Sequence, residues 1–519
     1  MRKMKSRKLM ALLCGVAFIG LSAPASAADI VWARYGDSDT LDPHASTTTL
    51  SMQSWRQIYD TLMAFDEGGM PQPNMAKSVE VSDDGLMVTF KLNDGIMCHD
   101  GSPFDSKDVK YTFDRALSDD HPSLTKSAWG PISSVEAPDA STIVVKFDQP
   151  FGAFVPFMAD PFSSMICDSN EALGADFGSK AAIGTGPWKL EEWTKGDRIV
   201  LSANETYKNF GHPVENKGKP YADGLIIRTV PEAQTRLAGL KTGELDIIEP
   251  PLEDVPSIKD DPSMTLHIAE ATGQDVFFEF TISRPPFNDE RVRQAVAHAV
   301  DVDMALDIGF QGLVQREKCP IAAGVFGNDQ DFCAKYLPEY DPEKAKELLK
   351  EAGYGPDNPI DVTMMTWTGG GRERILQIFQ NQLAQVGIKT NIEIMDIGTL
   401  NARVKQENEK TEGKSTFDMM GWSWYDPDIL YQLWHSPGAY SGYNTPELDA
   451  MLEEMRATVD TEARLEVVKK VNALLLEKAV HVPLYTPGWM WLYVTSKKVD
   501  GFKIGAFDQP LLMDVKITE

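Results

Sequence analysis

The stretch from Val79 to Leu117, VEVSDDGLMVTFKLNDGIMCHDGSPFDSKDVKYTFDRAL, leaves this chain the fewest ways to fold. Asp83-Asp84-Gly85 is turn chemistry, and Met87 to Leu92 alternates apolar and polar residues behind it, which predicts a hairpin. Asn93-Asp94-Gly95 and His99-Asp100-Gly101 add further turns. Asp105 then stands at a capping position, followed by Val109, Phe113 and Ala116 along one helical face.

The same reading extends along the chain. Ile30 to Arg34 and Ser141 to Phe147 alternate like strands, while Trp55, Ile58, Tyr59 and Leu62 predict a helix over 51–65. Asn288 is placed to cap a helix carrying Val292, Ala295, Val296 and Ala299. Pro342 opens a helix that Gly353 ends. Ile360 to Trp367 reads as a strand and Ile375 to Val386 as a helix, with Gly369-Gly370-Gly371 between them. Two amphipathic helices follow, one through Leu448 and Met455 and one through Leu465 and Leu475, the second with a single polar residue, Asn472, on its apolar face. The charged segment 401–415 reads as a solvated helix or loop. There is no internal repeat.

The first residues, MRKMKSRK, then a short apolar run, then APASA, are built like a secretory signal cleaved after Ala27. The run is too short for a membrane span, and Leu13 before Cys14 argues against a lipid anchor. The mature chain, Ala28 to Glu519, is then long enough for two or three domains and is expected to be periplasmic, with no stable membrane insertion. The formal net charge is −27, and loss of the five cationic residues of the signal makes the mature chain still more acidic, which speaks against nucleic acid as a partner. An even number of cysteines in an exported chain suggests disulfides. Cys319 and Cys333 flank one short loop and are the expected pair; Cys98 with Cys167 follows by elimination and stays open.

The string SDDGLMVTFKLNDGIMCHDGSPFDSKDVKYTFDRA resembles the signature of the extracellular solute-binding proteins of family 5, the dipeptide-, oligopeptide- and nickel-binding proteins of ABC importers. The resemblance continues in order through Ile183–Trp188 (IGTGPW), Leu240–Ile247 (LKTGELDI), Phe287–Ala299 (FNDERVRQAVAHA) and Tyr340–Gly353 (YDPEKAKELLKEAG). It departs at Met87-Val88 and Met97-Cys98. It implies an α/β fold of the type II periplasmic binding protein kind, with two lobes, a subdomain inserted in the first, and the ligand in the cleft between lobes. The implied division is 28–69, 183–285 and 486–519 for lobe I, 70–182 for the inserted subdomain and 286–485 for lobe II, with crossings near 283–288 and 483–488. It also implies a monomer that hands a small-molecule or peptide ligand to ABC permease subunits, without cofactor or catalysis.

Gly421 to Trp434, GWSWYDPDILYQLW, lies where the family has its ligand loop. Trp422, Trp424 and Trp434 can be core aromatics, and Asp426 and Asp428 can cap a helix from Ile429; equally, flat rings beside carboxylates suit a pocket for a polar or cationic ligand. In dipeptide-binding relatives an aspartate three residues after the loop's first Trp holds the peptide ammonium. Tyr425 stands there in this chain, which makes Asp426 the candidate replacement. Arg372 and Arg374, at the start of a helix, are candidates for a ligand carboxylate, with solvated arginines as the plain alternative. Tyr35, Asp37 and Trp367 complete the expected ligand-binding set. Catalytic and phosphate-binding motifs are absent: there is no G-x-S-x-G, no H-E-x-x-H and no P-loop. The eight histidines are scattered, with only His435 near the loop, so no metal site is expected. Opine-like conjugates, oligosaccharides and metal chelates remain alternative ligands, and an exported hydrolase or a ligand-presenting receptor the rival functions.

Overall fold

Four of the five residues of the strand Ile30–Arg34 are buried, because helices and loops cover both of its faces. In the computed structural model it is the middle strand of a seven-stranded sheet, parallel to Gly224–Thr229 on one side and to Ile247–Ile248 on the other. Arg198–Ala203 and Trp188–Thr194 extend one edge, Leu492–Ser496 and Met264–Ile268 the other, all antiparallel to their neighbours. The structure describes residues 28–518 except 121–122, 270–272, 311, 369–370, 437–441, 444 and 487–491. The segment 1–27, read above as a signal, lies outside the described residues, as do Gly369 and Gly370.

A second sheet of six strands is ordered 315–316, 481–486, 274–280, 416–423, 360–367, 388–395. All seven residues of Gln274–Phe280 are buried. Helices Glu290–Ala299, Val302–Phe310, Pro342–Glu351, Arg372–Gln385, Pro446–Ala457 and Thr461–Glu477 belong to this half. These two sheets make the two lobes of an α/β fold. The chain passes from the first sheet to the second between Ile268 and Gln274, ahead of the crossing expected at 283–288: Gln274–Phe280 already pairs with Thr416–Ser423 and with His481–Thr486. It returns between Thr486 and Leu492.

The hairpin read from Asp83-Asp84-Gly85 is Ala76–Val81 against Met87–Leu92. It forms a four-stranded antiparallel sheet with Thr142–Phe147 and Ile132–Asp139. Asp105 caps the helix Ser106–Leu117 in a reciprocal box with Asp108, as the spacing predicts. Downstream, Asp289 caps in place of Asn288, and Asp341 caps the helix that Pro342 opens.

The expected helix over 51–65 is shorter. It spans Thr49–Ile58, and Met63–Phe65 turns into a strand against Pro71–Pro73. Gly184-Thr185-Gly186 causes the stop. The Gly186 N–H donates to the Ile58 carbonyl at 2.9 Å, and a Cβ on Gly184 would lie 2.1 Å from that oxygen. Only glycine lets this segment close so tightly over the helix end. His99 clasps the same segment, its backbone N–H donating to Gly184 O at 2.9 Å and its Nε2 lying 3.0 Å from Gly186 O. Two sequence motifs far apart in the chain, H-D-G and G-T-G, thus meet as one structural knot.

Both cysteine pairs are disulfides, Cys319–Cys333 closing 14 residues and Cys98–Cys167 closing 69. Asp108 lies beside the second, but with both sulfurs bonded to each other that trio offers no thiolate to a metal.

Candidate functional site: the cleft between the lobes

Two structural units meet around one small cavity. The helix Thr49–Ile58 presents Thr49, Met52, Gln53 and Arg56 from the first lobe, and the turn at Asp160-Pro161-Phe162 adds Asp160 and Phe162. From the second lobe come Gly273, Ser423, Trp424 and Tyr425, and Phe507 closes the ring from the C-terminal segment. The cavity is small, about 30 Å³, room for a water or two and not for a peptide. A ligand of several residues enters only if the walls part.

The walls are largely aromatic. Trp424 stacks on Tyr425 with centroids 5.3 Å apart, and faces Phe162 at 6.4 Å. Tyr425 lies 5.7 Å from Phe157, and Phe507 meets Phe65 edge-on at 4.6 Å. Gly273 allows the lobes to come this close: the Trp424 N–H donates to its carbonyl at 2.9 Å, and a Cβ there would lie 2.6 Å from Trp424 O and 2.7 Å from Phe507 Cδ1. Phe507 has φ 53°, a left-handed conformation unusual for a side-chain-bearing residue and of the kind that gathers at ligand sites.

Two charges line the cavity, Arg56 and Asp160. Arg56 Nη1 donates to Phe507 O at 3.0 Å, which ties the first lobe to the C-terminal segment. Asp160 is only 5 % exposed, and its Oδ1 accepts the Phe162 N–H at 2.9 Å. Burial pushes its carboxyl up to about 7, against the opposing pull of that N–H and of Arg56.

The sequence-derived candidates fall in several places. Trp424 and Tyr425 line the cavity; Trp422 is half-buried on the strand Thr416–Ser423, paired across to Asp275. Asp426 and Asp428 sit behind the wall. Asp426 is held by both Nη atoms of the buried Arg464, at 2.8 and 2.5 Å, and its Oδ1 accepts the Asp428 N–H at 2.9 Å, shaping the start of the helix Asp428–Trp434. Asp428 is gripped by Arg456 Nε and Nη2, both at 2.9 Å. Burial pulls the Arg464 guanidinium down, but the Asp426 charge and hydrogen bonds outweigh it and hold it above its ordinary value. These aspartates therefore spend their charge on the protein, and the expected takeover of ammonium binding by Asp426 meets a carboxylate already neutralised by a fork-to-fork pair.

Trp367 and Arg372 form their own pair, the guanidinium 3.7 Å from the ring centroid, with Arg372 buried. Arg374 is exposed and donates to Gly309 O at 3.1 Å. Asp37 accepts from Trp193 Nε1 at 3.1 Å and from the Gly196 N–H at 2.7 Å, while the Tyr35 N–H donates to Glu249 at 3.1 Å and its ring is 53 % exposed. None of these five lines the cavity. Sequence reasoning missed Arg56, Asp160, Phe162 and Phe507. Asp160-Pro161 carries the same local signal as Asp426-Pro427, but nothing in the sequence placed it opposite the tryptophan loop.

Two α/β lobes closing aromatic walls on a shared cavity define the class of two-lobed solute-binding proteins. Residues 70–442 match the profile of bacterial extracellular solute-binding proteins, family 5 (middle region), and the chain belongs to that family. It is 30 % identical to the glutathione-binding protein GsiB of Salmonella paratyphi A, over 93 % of each chain. Among solved structures, it is similar to the periplasmic binding protein DppA of Helicobacter pylori in complex with the peptide STSA (26 % identity, TM-score 0.74, 94 % of this chain and 98 % of that one). It is also similar to AgaA of A. tumefaciens R10 in complex with agropinic acid (26 % identity, TM-score 0.76, 95 % and 99 %). No helix among the described residues is long and apolar enough to cross a membrane.

Proposed function

We propose that the protein is the periplasmic receptor of an ABC importer for short peptides or peptide-like amino-acid conjugates, and that it performs no chemistry on them. The observation that carries this reading is the cavity itself. Both lobes contribute to it, four aromatic side chains line it, and it holds one cation and one buried carboxyl for a small zwitterion. GsiB and the H. pylori DppA, named for glutathione and solved with a peptide, support the same class of ligand. Lobe I comprises 28–69, 183–268 and 492–518, the inserted subdomain 70–182, and lobe II 274–486. The lobes part by hinge bending, and ligand stabilises the closed form by touching both walls at once. The closed form, a monomer, is what the permease recognises.

Native mass spectrometry of protein purified without denaturation, followed by denaturing release, tests this. Recovery of intact short peptides or a γ-glutamyl-type conjugate is the expected result. Recovery of a carbohydrate or a metal complex would keep the receptor and overturn the ligand class, and cleaved products would point to a hydrolase.

A further inference from the structure

Several buried carboxylates of this protein are paired with an arginine. Asp426 has Arg464, Asp428 has Arg456, Glu407 has Arg284 and Asp42 has Arg115. Among the described residues, Asp108, Asp246, Glu279, Glu317, Asp418 and Asp514 have no cation within ion-pair distance, but none of them lines the cavity. Asp160 differs from both groups. It lines the cavity as its only acid, it is about as buried as the core aromatics, and among the described residues no lysine, arginine or histidine comes within ion-pair distance. Its one recorded side-chain hydrogen bond is the Phe162 N–H of its own turn.

We propose that Asp160 is the residue that holds the ligand's ammonium group, and that the pair it lacks in the unliganded protein is completed by the ligand. The inference rests on the peptide-class reading above. The family's ammonium-binding aspartate would stand at Tyr425, and Tyr425 and Asp160 face each other closely enough for the carboxylate to act on the phenol. The charge has moved from the second-lobe side of the cleft to the first-lobe side. Trp424 and Phe162 supply ring faces beside it, which favour an organic cation over water.

A protonated Asp160 carboxyl meeting an R–NH₃⁺ group gives a carboxylate–ammonium pair and one proton released to solvent. The groups around Asp160 are Arg56 from the helix Thr49–Ile58 and Tyr425 from the opposing loop, with Asp426, Asp428 and Arg464 beyond that ring. Burial holds the Tyr425 phenol neutral, well above its ordinary range, so it does not supply the released proton. With the carboxyl near 7 before ligand enters, amine binding strengthens as pH rises to about 7 and levels off above it. Between pH 8 and pH 5.5 the loss is about 30-fold.

The test uses a pooled tripeptide library with free amino termini and the same library N-acetylated, titrated calorimetrically into the mature protein and into Asp160→Asn. In wild type the free-amine pool is expected to bind at least tenfold tighter than the acetylated pool and to release protons near pH 6.5, read from two buffers of different ionisation enthalpy. Asp160→Asn is expected to lose at least tenfold for the free-amine pool, to be unchanged for the acetylated pool and to release no proton. If wild type prefers free amines but Asp160→Asn binds them equally well, the ammonium is held elsewhere: the assignment of Asp160 is overturned and the peptide reading stands. Equal binding of both pools by wild type overturns the assignment too. Binding of neither pool removes the peptide reading and the assignment with it. Should the variant not fold, the wild-type pH profile decides, and a flat affinity from pH 5.5 to 8 overturns the proposal.

Discussion

The two sides of the cleft each carry an Asp-Pro turn, and the two turns use their carboxylates in opposite ways. Asp426-Pro427 lies in the tryptophan-rich loop, where its carboxylate is locked to Arg464 and helps start the helix Asp428–Trp434. Asp160-Pro161 lies across the cavity from that loop, where its carboxyl is as deeply buried yet holds only its own turn N–H. A buried charge that is paired within the protein is a structural element. A buried carboxyl that lines a cavity without a cation retains a desolvation penalty that a cationic ligand can offset. On the proposal above, the difference separates the aspartate poised for ligand from the one that holds the wall in place.

Breaking the paired side should cost the most. Arg464→Met leaves Asp426 buried without its partner and is expected to destabilise the protein by about 4 kcal/mol, measured by urea denaturation of the ligand-free form. A loss under 1 kcal/mol would mean that Asp426 is not committed and could serve ligand after all. Next comes the brace beside the other turn. The Cys98–Cys167 disulfide pins the far end of the segment that runs from Asp160 to Cys167, and it closes a 69-residue loop. Replacing both cysteines by serine should cost about 3 kcal/mol and weaken ligand binding, whereas the same change at Cys319 and Cys333, with 14 residues enclosed, should cost less and leave binding alone.

Arg456→Ala is expected to cost about 2 kcal/mol, less than the Arg464 change because Arg456 is partly exposed and water can reach the vacated carboxylate. The smallest effect sharpens the comparison most. The folded-state pKa of Asp160 is raised, so its contribution to stability is present below the ordinary aspartate range and is lost as pH rises through about 7. Asp160→Asn should therefore leave ligand-free stability little changed near pH 4 and raise it at pH 8, seen as a pH-dependent difference in Tm. A variant less stable than wild type at pH 8 would show that Asp160 is paired like Asp426, and the contrast between the two turns would vanish.

Much of the fold was legible because its signals are local. The Asp83-Asp84-Gly85 hairpin, the Asp105 cap, the Pro342 start and the Cys319–Cys333 loop each need only neighbours in sequence, and each has the predicted form. The helix expected over 51–65 was overextended because its stop comes from Gly184 and Gly186, more than a hundred residues away. The chain crosses earlier than the resemblance implies, because the sheet that Gln274–Phe280 joins is decided by its pairing with Thr416–Ser423.

The sequence by itself determined α/β elements and a family signature, and it offered the tryptophan loop as a candidate for half of a ligand site. Those properties follow from composition, periodicity and short motifs, which act over a few residues at a time. Only the tertiary structure decided which charges remain for ligand. Asp160 and Asp426 look alike along the chain, and Arg464 stands 38 residues from one of them and nowhere near the other. Whether a carboxylate is neutralised depends on distances of a few ångströms between distant segments and on the burial that makes those distances matter.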